Sequence, residues 1–140
     1  MTDSEDFYVR FWGVRGSIAT PGPRTSRYGG NTSALEVRCG KHMLLFDAGT
    51  GLRYLGNELL KSGPVDTVLF LTHTHFDHVC GLPFFVPLFI KTSQIRIWAG
   101  HLKAREMTVK YVISEMMFSP LFPVPPEIFT ANVSYLDFEA

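Results

Sequence analysis

Apolar residues in this chain come in short runs separated by glycine, proline and polar clusters, and the period within each run changes along the sequence. Phe7 to Trp12 is aromatic and β-branched, which predicts a first strand. Gly13 to Asn31 is rich in Gly, Pro, Ser and Arg and predicts a long loop, a feature that is often functional in a compact domain. Ala34 to Arg38 and His42 to Phe46 predict a hairpin around Cys39-Gly40-Lys41. Leu52, Leu55, Leu59 and Leu60 recur at helical spacing, so a helix is expected over Gly51 to Lys61, ended by Ser62-Gly63-Pro64. Val65 to Thr72 is nearly all apolar and therefore reads as a central strand. A helix over Leu82 to Phe89 follows, with Pro83 tolerable in its first turn. Ile95 to Ala99 predicts a strand. Lys103 to Met117 predicts a helix with Met107, Tyr111, Val112 and Met116 as its apolar stripe. Ser119 to Pro126 is a proline-rich break, and Asn132 to Phe138 predicts a last strand. Strands and helices are interleaved, so the expected class is α/β, a sheet with helices on one face.

The chemistry concentrates just after the central strand. His73, His75, Asp77 and His78 fall within six positions, and the chain has 5 histidines in all. On a strand, His73 and His75 would project to the same side, because strand side chains alternate. Two such imidazoles are a ready pair of zinc ligands. Asp77 and His78 sit where the strand should give way to a turn, and an oxygen plus a nitrogen donor there suits a second divalent ion. Burying such groups without partners would cost about 2–7 kcal/mol each, which weighs against a purely structural cluster.

His73-Thr74-His75-Phe76-Asp77-His78, followed by Gly81, resembles the signature of the metallo-β-lactamase-fold hydrolases. Phe46-Asp47-Ala48-Gly49-Thr50-Gly51 resembles that family's strand-then-loop motif, and Gly29-Gly30-Asn31-Thr32-Ser33 the segment before its second strand. Gly81-Leu82-Pro83-Phe84-Phe85 is similar to the helix start after the metal loop in the phosphodiesterase and tRNA-maturation branch. The match runs from about Phe11 to Gly100. The resemblance implies the first, N-terminal half of a four-layer αββα sandwich, two sheets face to face with helices outside.

The resemblance also implies metal-assisted hydrolysis. One zinc would be held by His73 and His75 and the other by Asp77 and His78, with Asp77 also orienting the attacking nucleophile and so serving as the catalytic residue. Asp47 is either an acceptor that fixes one imidazole or a loop-capping aspartate. Arg15 and His101 could edge a substrate pocket, though a solvated face suits each better. A catalytic zinc wants three protein ligands. The family supplies a third histidine, a bridging aspartate and a last histidine from segments after the metal loop, and no histidine follows His101 here. A truncated or degenerate copy is therefore expected, and the isolated chain should be inactive, bind zinc poorly and self-associate. The substrate expected for the intact protein is a small-molecule or nucleotide-type phosphodiester, with lactam or thioester hydrolysis as the alternative chemistry. A catalytically incomplete, non-enzymatic half-domain that needs a partner segment is the alternative from another class. Zinc is the expected cofactor, and manganese or iron would suit the same donors.

Bulk properties narrow this further. The length of 140 residues allows one domain, here residues 1–140, with a sizeable core. Hydrophobic content is 46%, charged content 19%, and the formal net charge is +0, so no strong pull toward RNA is evident, though RNA is not excluded as a substrate. The 2 cysteines, Cys39 and Cys80, make no disulfide framework. Cys80 is near enough to His78 for a metal role, but a small buried hydrophobe is the better reading. The acidic Met1–Asp6 segment is no secretory signal, and no stretch is long and apolar enough to span a membrane. No membrane association and a cytoplasmic location are the expectation.

Overall fold

A computed structural model describes residues 7–139; the acidic Met1–Asp6 segment and Ala140 lie outside the described residues. Six strands form one mixed sheet in sequence order. They are β1 (Phe7–Gly13), β2 (Ala34–Cys39), β3 (His42–Phe46), β4 (Asp66–Leu71), β5 (Gln94–Ala99) and β6 (Asn132–Asp137). The pairs β1–β2 and β2–β3 are antiparallel, so the expected hairpin forms with Cys39 opposite His42. From β3 onward the pairs are parallel, with Phe46 beside Phe70, Phe70 beside Trp98, and Trp98 beside Leu136. Parallel neighbours need crossovers, and helices supply them: α1 (Gly51–Leu59) and α3 (Val109–Met116) are the two long ones.

Helices cover one face of the sheet. Leu45, Leu69, Ile95 and Ile97 are buried there in one cluster with Leu52 and Leu55 of α1 and Ile113 of α3. The alternate residues Leu44, Phe46, Val68, Phe70 and Trp98 point to the other face and are only partly buried. Phe46 stacks on Phe70 at 5.4 Å, and Trp98 lies 6.4 Å from Phe70 and 5.9 Å from Phe138 between ring centroids. Phe7, Val9 and Phe11 extend this apolar face at the sheet edge and are 69%, 44% and 64% exposed. The described residues thus build one sheet and one helical layer, two of the four layers implied by the resemblance. Among them no helix is long and apolar enough to cross a membrane.

Two helices differ from expectation, each for a local reason. Leu82 to Phe89 is a pair of 3-10 turns, Leu82–Phe84 and Val86–Phe89, because Pro87 falls in the interior of the expected helix and lacks the N–H it would use, whereas Pro83 sits harmlessly in the first turn. Lys103 to Met117 is broken: a 3-10 turn ends at Glu106, which is left-handed at φ 55, and α3 starts only at Val109. Thr108 caps it by accepting from the Tyr111 amide at 3.1 Å. This later start resets the helical frame, so Val109, Ile113 and Met117 are buried while Tyr111 of the expected stripe is 52% exposed. The expected helix over Gly51 to Lys61 forms, its last residues tightening into a 3-10 turn closed by Gly63 at φ 95.

Candidate metal centre

The four parallel strands bring their carboxyl ends to one edge, where open α/β sheets place their ligand sites. Asp47 follows β3, the Thr72–His75 segment follows β4, His101 follows β5, and Asp137 ends β6. Asp47 is 4% exposed and sits at φ 63, a left-handed conformation that aspartate tolerates better than most residues. The Thr72 amide and hydroxyl each donate to its Oδ1 at 2.9 Å, Ser33 Oγ donates to Oδ2 at 3.2 Å, and His78 Nδ1 lies 2.8 Å from Oδ2. A carboxylate only accepts, so His78 carries its proton on Nδ1 here. Asp47 thus accepts both from the Thr72 and Ser33 loop groups and from one imidazole.

The strand expected to carry His73 and His75 stops at Leu71, so both ride on an extended loop. Asp77 and His78 are not in a simple turn but in a short helix, α2 (Phe76–Val79). The His73 ring lies 4.5 Å from that of His75 and 4.0 Å from that of His78, centroid to centroid. Backbone bonds lock α2 to the loop after β3: the Ala48 amide donates to His78 O at 2.7 Å and the Gly81 amide to Ala48 O at 2.8 Å. The approach is so close that a Cβ on Gly81 would overlap the Gly49 carbonyl. From the far side of the long loop, the Ser17 amide donates to Asp77 Oδ2 at 2.8 Å.

The same Asp77 Oδ2 lies 3.3 Å from His78 Nε2. Two ligands bonded at about 2.0–2.1 Å with a tetrahedral angle between them stand roughly 3.3 Å apart. The pair is therefore spaced as two donors to one ion would be. Burial and the neighbouring His78 and His75 rings hold the His73 pKa below its ordinary value, against the pull of Asp47 and Asp77. Burial pushes the Asp77 carboxyl up, but the Ser17 amide and His78 outweigh it and leave its pKa below the usual carboxylate value. Both shifts favour the forms that bind metals, neutral imidazole and ionised carboxylate.

Among the described residues, no three His, Cys, Asp or Glu side chains converge on a common point as a finished metal site. The donor chemistry fits a divalent ion; the four expected ligands are adjacent but do not by themselves complete a three-ligand shell. Arg15 is half-buried, and its Nε is spent on Gly29 O at 2.9 Å. His101 lies nearer the cluster than sequence reading suggested. Its Nε2 is 3.2 Å from Thr74 Oγ1, its Nδ1 is buried with no partner, and burial and His73 hold its pKa low. Cys80 is partly buried, and burial pushes its thiol up. Sequence reading missed Ser17, Ser33 and Thr72, which carry no ligand chemistry and are gathered only by the fold.

The profile of the Metallo-beta-lactamase superfamily matches residues 27–136. Ribonuclease Z of Haloarcula marismortui is 32% identical over 119 residues, which is 83% of this chain and 35% of that protein. The crystal structure of the metallo-beta-lactamase fold protein YhfI from Bacillus subtilis superposes with a TM-score of 0.53 at 16% identity, covering 94% of this chain and 46% of that one. The chain spans less than half the length of either relative.

Proposed function

The chain belongs to the metallo-β-lactamase superfamily, and from that premise we propose that it carries the metal-loop part of a metal-dependent hydrolase acting on a phosphodiester. The observation that carries this reading is the line of contacts from Asp47 through His78 to Asp77, at 2.8 Å and 3.3 Å. His73 and His75 would hold one ion, and Asp77 and His78 a second. Zinc suits the donors best, and manganese or iron would fit them too. When bound, such ions supply Lewis acidity and a water acidic enough to attack at neutral pH.

The chain's own groups prepare the site. Asp47 keeps the proton of His78 on Nδ1, which leaves the Nε2 lone pair free to bind. The Ser17 amide fixes one oxygen of Asp77, so the carboxylate presents its other oxygen to an attacking water, which is the role proposed for it as catalytic residue. The name of the ribonuclease relative supports a phosphodiester of the RNA type over a lactam or thioester. The formal net charge of +0 supplies no strong overall pull on a polyanion, so a phosphodiester would be held by local contacts. Residues 1–140 are read as one unit, the N-terminal part of such a domain. A second reading, a half-domain without activity of its own, is favoured by one observation: no three donors converge among the described residues.

The first test is metal content. The chain with any downstream coding sequence attached, loaded with zinc, and its His75→Ala and Asp77→Ala variants are compared by elemental analysis after dialysis. Each variant should lose at least one metal equivalent, and unchanged content in both would refute the assignment. Turnover is measured on the chain with any downstream coding sequence attached. Aryl phosphodiester should be cleaved faster than a chromogenic cephalosporin, and the reverse order would reject the phosphodiester reading.

A further inference from the structure

A cleft of about 630 Å3 opens directly beside the metal loop, within the ordinary range for small-molecule sites of about 300–1,000 Å3. Three aromatic side chains line it while largely open to solvent: Phe76 at 71%, Tyr54 at 52% and Phe84 at 51% exposure. Scattered single exposures of this kind are ordinary, but three on one cleft are a binding surface. Phe76 lies between His75 and Asp77 in the chain, so one wall of the cleft is made by the segment that carries the candidate ligands.

The same cleft has a polar edge. Asn31 Oδ1 accepts from Thr50 Oγ1 at 3.1 Å, which fixes the amide and leaves its NH2 group as a donor with no acceptor among the described residues. Arg53 adds one cation at the rim. Across the ridge made by Phe76 and Phe84 lies a second cleft of about 450 Å3, walled almost wholly by apolar side chains such as Val112, Met116 and Phe122. Of these two clefts the first is the one that sets its aromatic faces beside Asn31 and Arg53.

We infer that this first cleft receives the base of a nucleotide unit next to the scissile phosphate. A nucleobase is planar, stacks on aromatic side chains, and carries acceptors on its edge. The Asn31 amide would meet those acceptors, Phe76 and its aromatic neighbours would take the ring, and Arg53 would face a phosphate. This rests on the phosphodiester reading and adds to it a subsite for the base. Because the cleft offers a single cation, affinity should come from stacking and depend only weakly on salt.

The test is ligand binding to the 140-residue chain, followed by saturation-transfer NMR and by competition, with 5′-AMP and ribose 5-phosphate as probes. The base protons of 5′-AMP should receive the strongest transfer, and ribose 5-phosphate should bind about tenfold more weakly. Phe76→Ala and Phe84→Ala should each weaken 5′-AMP by on the order of tenfold and leave ribose 5-phosphate unchanged. Phe84 lies outside the metal loop, so its variant reports on the cleft even if Phe76→Ala disturbs the ligands. Equal binding of the two probes to the unmodified chain, or unchanged 5′-AMP affinity in both variants, overturns the inference. Zinc content measured on the same samples separates the two questions: absence of base selectivity in the unmodified chain with zinc retained sinks the base site alone.

Discussion

Replacing Asp47 should damage stability and metal binding together, because one carboxylate serves both. Four donor groups converge on it, from Thr72 N, Thr72 Oγ1, Ser33 Oγ and His78 Nδ1, and the side chain is almost fully buried. In Asp47→Asn the backbone is kept, since asparagine tolerates the left-handed φ of 63. The amide oxygen can still accept from Thr72, but the NH2 group then faces the Nδ1 proton of His78, and the histidine must turn or change tautomer. Losing one hydrogen bond to a charged group costs about 1.5–3 kcal/mol. Asp47→Ala goes further. It leaves the Thr72 amide without its acceptor and puts a Cβ-bearing residue without a compensating side chain in the left-handed region, at about 1–2 kcal/mol more. The sum, roughly 3–5 kcal/mol with non-additivity allowed for, approaches the whole stability of a weak domain.

The assay is urea unfolding followed by fluorescence of Trp12 and Trp98, at equal slope so that the midpoint reports stability. A zinc or cobalt titration of Asp47→Asn should show affinity reduced about 10- to 100-fold, the usual effect of removing a partner that orients a ligand. Ser33→Ala, which removes only the 3.2 Å contact, is the control and should cost far less. If Asp47→Asn unfolds within about 0.5 kcal/mol of the parent and binds zinc equally well, the carboxylate is not the hub described.

Three further outcomes follow from other parts of the molecule. Gly81→Ala sets a Cβ against the Gly49 carbonyl, a backbone clash that neither loop can relieve by a rotamer change. It should cost about 2–3 kcal/mol by urea unfolding and weaken zinc binding, and a neutral result would mean that α2 is not clamped to the loop after β3. Tyr135 has its phenol pushed up to about 12, by burial first and then by Glu127. A raised folded pKa means stability is intact below the unfolded value of about 10 and falls as pH rises toward 12, so alkaline unfolding curves should lose this step in Tyr135→Phe. Phe11 is 64% exposed on the uncovered sheet face. The 140-residue chain should self-associate in light scattering, and Phe11→Lys should reduce this without lowering stability; a monomeric parent at high concentration would refute the claim.

Much of this architecture is legible locally. Short apolar and β-branched runs and helical spacing located the six strands among the described residues and the long first helix, because each pattern belongs to a single segment. The candidate metal loop is legible for the same reason: His73, His75, Asp77 and His78 come from one stretch of chain. Where expectation failed, the controlling residues were local but outvoted by the pattern. Pro87 split a hydrophobic helix into 3-10 turns, and Glu106 with Thr108 delayed α3 past an apparent apolar stripe. What could not be read was partnership across strands. Ser17 is sixty positions from the carboxylate it fixes, and nothing in its identity marks it, since it acts through its backbone amide.

The backbone supplies an independent sign of where the molecule concentrates its constraint. Among the described residues three non-glycine positions have positive φ: Ser17, Asp47 and Glu106. Such conformations cost of order 1 kcal/mol or more and persist where the surroundings fix them. Glu106 has a mundane cause, the end of a 3-10 turn before α3. The other two both end on the metal loop, Ser17 on Asp77 and Asp47 on His78. Asp77 Oδ2 and His78 Nε2, the donors set 3.3 Å apart, are thus each positioned by a strained residue from a different segment. The strain therefore falls on the candidate ligand pair, and the proposed metal site would use it to hold that spacing before an ion binds.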